Sequence, residues 1–113
     1  MKNDLLKIIN HYGERHQQKK LNEEVFELIE AIRDYEEDYI RVDCDKDYVQ
    51  QFKEHIEEEF ADVMVLLSQI KYYYELDSER IKKIMEEKIV RQLERIKNEE
   101  IYKRKNINFK KGV

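Results

Sequence analysis

The stretch from Ile56 to Tyr74, IEEEFADVMVLLSQIKYYY, constrains the fold of this chain more than any other segment. Its apolar residues recur at helical spacing, so it predicts a helix with one buried face. Two carboxylates interrupt that face, Glu59 near its middle and Asp62 at its edge. A buried carboxylate is costly unless it is paired or protonated. We therefore expect a positively charged partner for this pair.

The composition favours long helices with charged surfaces. Charged residues make up 42% of the 113 residues, with no Pro and only two Gly, and no segment alternates like a strand. We predict an all-α bundle of about four helices, forming a single domain over 1–102 with a basic tail over 103–113. The expected helices cover 5–11, 14–39 and 47–76, and a fourth starts at 78 and gives way to an irregular segment from about 102.

The helix boundaries follow from capping residues and from one Asp-rich segment. Gly13 should end the first helix, since glycine readily adopts the conformation that follows a helix. A loop is expected over 40–46. The candidate N-caps are Asn3 or Asp4, then Asp45 or Asp47, then Asp77 or Ser78.

The third predicted helix is unusually long for a chain of this size. A helix of about 30 residues spans about 45 Å, more than a compact monomer of 113 residues needs. We therefore expect its apolar faces to continue into a second copy of the chain, giving a homodimer or a homotetramer. The adjacent tyrosines Tyr72, Tyr73 and Tyr74 are expected in the core or in such an interface.

Charge and hydropathy exclude several classes of partner. The formal net charge of −4 argues against binding a nucleic acid polymer, which requires a basic surface. No segment has the length and apolar content of a signal peptide or a membrane span. The single cysteine, Cys44, fits a reducing compartment. We predict a soluble, cytoplasmic protein with no membrane partner.

A second acidic pair repeats the first. Glu24 and Glu27 flank the apolar arc of the second predicted helix, with the same i, i+3 spacing as Glu59 and Asp62. Each pair lies on one side of its helix, so two antiparallel helices would bring four carboxylates together. These would need a counter-ion, and all-oxygen ligands favour Mg²⁺, with Mn²⁺ as a substitute.

The acidic residues also have other possible explanations. Acidic pairs on solvated helix faces are common in a chain with 26 Asp and Glu, and this explains Glu23, Glu30, Glu57 and Glu58. A di-iron bundle requires Glu-x-x-His, and none of the three histidines has Glu three residues before it. There is no Walker loop, and the acidic surroundings of Cys44 disfavour a thiolate nucleophile.

The acidic motifs resemble those of a known enzyme family. Glu23-Glu24-Val25-Phe26-Glu27, followed by Glu58-Glu59-Phe60-Ala61-Asp62, is similar to the EExxE…ExxD signature of the all-α, MazG-like nucleoside triphosphate pyrophosphohydrolases. The resemblance extends from about Gly13 to Arg95. It implies Mg²⁺-dependent cleavage of a (d)NTP between the α and β phosphates, giving (d)NMP and pyrophosphate. The implied metal ligands are Glu24, Glu27, Glu59 and Asp62, and Glu23 joins them as an implied catalytic acid.

The same resemblance implies substrate contacts. Lys88 and Arg91 match the family's K-F-x-R segment, which contacts phosphate, and Gln17 matches a glutamine that faces the nucleoside. Glu86 stands where the family often has Asn, so the sequence leaves base and sugar preference open. The alternative function is a non-catalytic helical module that binds nucleotide or another protein.

Overall fold

A computed structural model describes the backbone of residues 1–41 and 46–111, and the side chains of 1–37 and 47–107. The described residues form four helices and no strand, which confirms the all-α prediction. The helices are α1 (Lys2–Tyr12), α2 (Glu14–Arg41), α3 (Lys46–Tyr73) and α4 (Ser78–Lys111). In this part of the chain, no helix has the length and apolar content needed to cross a membrane.

The chain divides into two compact units, Met1–Leu76 with α1 to α3 and Asp77–Val113 with α4. The first unit carries nineteen acidic and ten basic residues, and the second carries seven acidic and twelve basic ones. The paired carboxylates therefore belong to an acidic three-helix unit, and Lys88 and Arg91 belong to a basic helix.

Two predicted boundaries are confirmed by hydrogen bonds. Gly13 ends α1 with φ of 92°, a value that favours glycine, and its N–H donates to the carbonyl of Ile9 at 2.8 Å. Asp77 caps α4, because its Oδ1 accepts the N–H groups of Glu79 at 2.9 Å and Arg80 at 3.2 Å.

Other predicted boundaries are wrong. Met1, not Asn3 or Asp4, precedes α1 as its N-cap, and α3 ends at Tyr73, close to Glu75 with φ of 53°. The irregular segment expected from about 102 is helical as far as Lys111, since no Gly or Pro intervenes before Gly112. Within the expected loop, residues 42–45 lie outside the described part of the chain, as do Cys44 and the candidate cap Asp45.

The core of the first unit is a seam between α2 and α3, which run antiparallel. The amide of Gln17 in α2 donates to Gln69 in α3 at 2.9 Å, and farther along α2 the ring of Tyr35 meets Phe52 at 6.4 Å. Inward-facing positions alternate by three and four residues, as in a coiled coil. These residues are Leu21, Glu24, Leu28, Ala31 and Tyr35 in α2, and Phe52, Ile56, Glu59, Val63 and Leu66 in α3.

Helix α1 and the tyrosines close one end of this seam. Leu5 and Ile9 are buried where α1 packs on α2 and α3. The hydroxyl of Tyr73 donates to Glu14 at 3.3 Å. The phenol oxygen of Tyr74 accepts from Gln18 at 3.4 Å. The tyrosine run at the end of α3 thus ties it to the start of α2.

Candidate metal centre

Three carboxylates meet at the seam between α2 and α3. One oxygen each of Glu24, Glu27 and Glu59 lies within 4.8 Å of the other two. Glu24 and Glu27 come from adjacent turns of α2, and Glu59 from the facing position on α3. The antiparallel packing thus brings together three of the four predicted ligands in the way the helix pattern indicated.

Burial of these carboxylates differs from the prediction in one respect. Glu24 was expected to flank the apolar face of α2, but it occupies the seam itself and is only 7% exposed. The reason is that α2 rotates Val25, Ile29 and Ile32 outward, where each is more than a third exposed. Glu59 is half-buried as its central position indicated.

Two oxygens in this cluster lack a partner. Glu24 Oε2 and Glu59 Oε2 are both inaccessible to solvent, and neither accepts a hydrogen bond. Leaving a buried acceptor unsatisfied costs about 1–3 kcal/mol, and more when it is charged. The apolar seam residues Val63 and Leu66, both buried, hold α3 in place despite this cost. The site is therefore preorganised at the expense of stability.

The acidity of Glu24 reflects its surroundings. Burial raises the pKa of its carboxyl above the ordinary value, and the nearby carboxylates of Glu27 and Asp62 raise it further. A hydrogen bond with Lys20 opposes them. Asp62 is exposed and lies outside the group of three, yet its charge is felt at Glu24.

Lys20 is the basic residue in contact with this cluster. Its Nζ lies 3.3 Å from Glu24 Oε1 and 3.7 Å from Glu23 Oε2, each within one turn of α2. The pKa of Lys20 is raised, first by the hydrogen bond to Glu24 and then by the charges of Glu24, Glu23 and Glu27. Glu23, a predicted catalytic acid, thus lies at the solvent side of Lys20, with its side chain 65% exposed.

The donor set fits a hard divalent cation. Its three members supply only carboxylate oxygens, the ligands that Mg²⁺ and Mn²⁺ prefer. The two unpartnered buried oxygens are acceptors for which the described protein groups supply no donor. A cation held by Glu24, Glu27 and Glu59, with Asp62 at the edge, would satisfy both and offset the mutual repulsion.

Two of the predicted substrate residues lie in the second unit. Lys88 and Arg91 are exposed on one face of α4, where they line a shallow groove with Gln92 and Arg95. That groove lies wholly on the basic helix. The role of both residues stays a prediction.

Gln17 is buried and already hydrogen-bonded. It is 4% exposed, its Nε2 donates to Gln69 at 2.9 Å, and its Oε1 lies 2.8 Å from His16 Nδ1. Gln69, at 2% exposure, is the buried partner of Gln17 that sequence analysis missed. The polar residues Ser68 and Gln69, which interrupt the apolar run that begins at Val63, were the signal for it. A nucleoside contact by Gln17 would require it to exchange these bonds.

This glutamine pair predicts a stability experiment. Replacing Gln69 by Leu leaves the Gln17 amide buried without its acceptor, so we expect a loss of about 1–3 kcal/mol in the free energy of unfolding. Replacing Gln17 and Gln69 together by Leu should recover most of that loss, because no unpaired amide remains. Urea denaturation of the single and double variants measures both values. Equal losses in the two variants would contradict a direct bond between these side chains.

Comparison of the chain with protein-family models, with curated proteins and with solved structures finds no match.

Proposed function

We propose that this protein is a Mg²⁺-dependent nucleoside triphosphate pyrophosphohydrolase, cleaving a (d)NTP to a (d)NMP and pyrophosphate. The observation that supports this most directly is the cluster of Glu24, Glu27 and Glu59, with two buried oxygens that have no partner. Evolution rarely retains such a cost in a helix seam unless a ligand relieves it. The resemblance of the acidic motifs to the MazG-like family supplies the reaction.

The residues divide into two groups in this proposal. Glu24, Glu27, Glu59 and Asp62 hold the cation. When bound, Mg²⁺ supplies charge neutralisation for the triphosphate and lowers the pKa of the attacking water. Glu23, exposed beside the cluster, would either join these ligands or orient that water.

The basic helix has a complementary role. Lys88 and Arg91 offset negative charge on the departing pyrophosphate, as cations do in phosphoryl transfer. Their exposure on α4 leaves both heads free to meet a polyphosphate.

The experiment that tests this function is a screen of canonical and modified ribo- and deoxyribonucleoside triphosphates for release of pyrophosphate. We expect release with Mg²⁺ or Mn²⁺, none with EDTA, and a nucleoside monophosphate as the second product by chromatography. Release of orthophosphate and a diphosphate instead would contradict cleavage between the α and β phosphates. Absence of any turnover across the screen would contradict the enzyme.

A second candidate, a non-catalytic module that binds nucleotide or another protein, is favoured by the surface of α4. The large apolar residues of α4 whose side chains the structure describes are each more than a third exposed, among them Ile89, Leu93 and Ile96. A helix in a protein gains most of its stability from packing of its apolar face, so such a face favours a partner. Calorimetric binding of a nucleotide without product after prolonged incubation would support this candidate over the enzyme.

Self-association is the form of partnership we propose for the enzyme, as a homodimer or homotetramer. Exposed apolar residues on α2 and α3 as well as α4, such as Phe26, Phe60 and Met64, would be covered by a second copy. Light scattering at micromolar protein tests this, and a monomeric mass would contradict it.

A further inference from the structure

Lys20 lies beside the carboxylate cluster, on its solvent side. Its ammonium lies 3.3 Å from Glu24 Oε1, while the other oxygen of the same carboxylate is buried and unpartnered. Glu24 thus contacts a lysine through one oxygen, while its carboxylate also belongs to the acidic cluster. Among the described residues, this is the ion pair that involves a member of the cluster.

The ammonium only partly compensates the cluster. It carries one positive charge, against the formal negative charges of Glu24, Glu27 and Glu59, and it reaches Glu24 through a single contact at 3.3 Å. A divalent cation brings twice the charge and can bond several carboxylates at once. Competition for Glu24 therefore favours the divalent cation.

Lys20 is also free to leave. Its side chain is 46% exposed, and it lies one turn before Glu24 on α2, so its release needs only rotation of its own flexible stem. Water reaches the half-exposed ammonium, which weakens its attraction to the carboxylate even though Glu24 itself is buried. No backbone movement is required to exchange the ammonium for a metal.

We propose that Lys20 is a displaceable counter-ion, which occupies Glu24 when no metal is bound and is expelled when a divalent cation enters. This inference rests on the cation site of the proposed function. Lys20 then stabilises the metal-free protein and lowers its affinity for the cation. Once expelled, the ammonium is held away from the bound cation by repulsion between like charges.

The test is Mn²⁺ binding by the full chain, followed by the electron paramagnetic resonance signal of free Mn²⁺. For Lys20→Met we expect affinity to rise about three- to tenfold. The upper figure corresponds to repulsion in water between a divalent and a monovalent cation about 6 Å apart, and salt reduces it. Lys19→Met is the matched control, because it removes the same charge from the neighbouring exposed position and should change affinity less than twofold.

The outcomes distinguish failure of this inference from failure of the proposed function on which it rests. If the wild-type protein binds Mn²⁺ and Lys20→Met binds it no more tightly, the counter-ion role is overturned and the cation site stands. If the wild-type protein binds no Mn²⁺, both are overturned. A gain in Lys19→Met equal to that in Lys20→Met would show a general charge effect and would also overturn the specific role of Lys20.

A second measurement follows the lysine itself. Mass spectrometry after brief treatment with an amine-acylating reagent reports how readily each lysine reacts. Mg²⁺ should increase acylation of Lys20 by about twofold or more, because release from Glu24 frees its amine, and should leave Lys19 unchanged. Equal acylation of Lys20 with and without saturating Mg²⁺ would mean that the ammonium stays paired, contrary to the proposal.

Discussion

Replacing Glu59 by Gln is expected to reduce Mg²⁺-dependent release of pyrophosphate at least about 100-fold, the scale on which loss of one charge-stabilising group acts. Glu59 is the ligand that α3 contributes to the group of three, and one of its oxygens is buried without a partner. Glutamine keeps the shape of the side chain but removes its charge. The measurement is the initial rate of pyrophosphate release, at saturating nucleotide and across a range of Mg²⁺.

The matched control is Glu58→Gln, which makes the same change at the preceding, exposed position of α3. Its rate should stay within about twofold of the wild-type rate, as is usual for surface substitutions away from a site. Circular dichroism should show equal helix content in both variants, because neither changes an apolar contact of the seam. Wild-type turnover by folded Glu59→Gln would contradict the cation site, whatever the rate of the control.

The fold was predictable because helical periodicity is encoded locally. Apolar spacing in the chain, with no proline and only two glycines, leaves little besides helices, and Gly13 and Asp77 set boundaries through hydrogen bonds close to them in sequence. The end of α3 at Tyr73, which was mispredicted, depends on the backbone conformation at Glu75. Such conformations are weakly specified by local sequence.

The sequence predicted which carboxylates meet, but it did not predict how deeply each one is buried. Spacing alone places Glu24 and Glu27 on one side of α2, but which side faces α3 depends on how both helices pack. Packing turned Glu24 into the seam and left Val25 exposed. The bond between Gln17 and Gln69 joins residues 52 positions apart, and no periodicity within one helix indicates such a pair.

Replacing Glu24 by Gln is expected to stabilise the metal-free protein and to abolish its stabilisation by Mg²⁺. The native pKa of Glu24 is raised above 4.5, chiefly by burial, so the native state binds more protons than the unfolded state above that pH. Stability of the wild-type protein in EDTA should therefore fall as pH rises from about 4.5 through the raised pKa. The glutamine variant lacks this titration. Its stability relative to the wild-type protein should therefore increase over the same pH interval and then level off.

Thermal unfolding at about pH 5 and about pH 8 measures this difference. At the higher pH in EDTA, we expect Glu24→Gln to unfold several degrees above the wild-type protein, since about 1 kcal/mol moves the midpoint of a small domain by about 4–8 °C. With Mg²⁺, the wild-type protein should instead unfold at the higher temperature. A cation at about 100 times its Kd stabilises the wild-type protein by about 2.7 kcal/mol, and the variant has lost a ligand.

The control for this comparison is Glu30→Gln, an exposed position of α2 outside the cluster, which should keep both the wild-type pH dependence and the response to Mg²⁺. A lower midpoint for Glu24→Gln than for the wild-type protein in EDTA would mean that the ion pair with Lys20 outweighs the cost of burying Glu24. That result would contradict the direction of the pKa shift. An equal response of Glu24→Gln and wild type to Mg²⁺ would instead place the cation elsewhere. The measurements in EDTA thus test the stability lost by burying Glu24, and those in Mg²⁺ test whether Glu24 binds the cation.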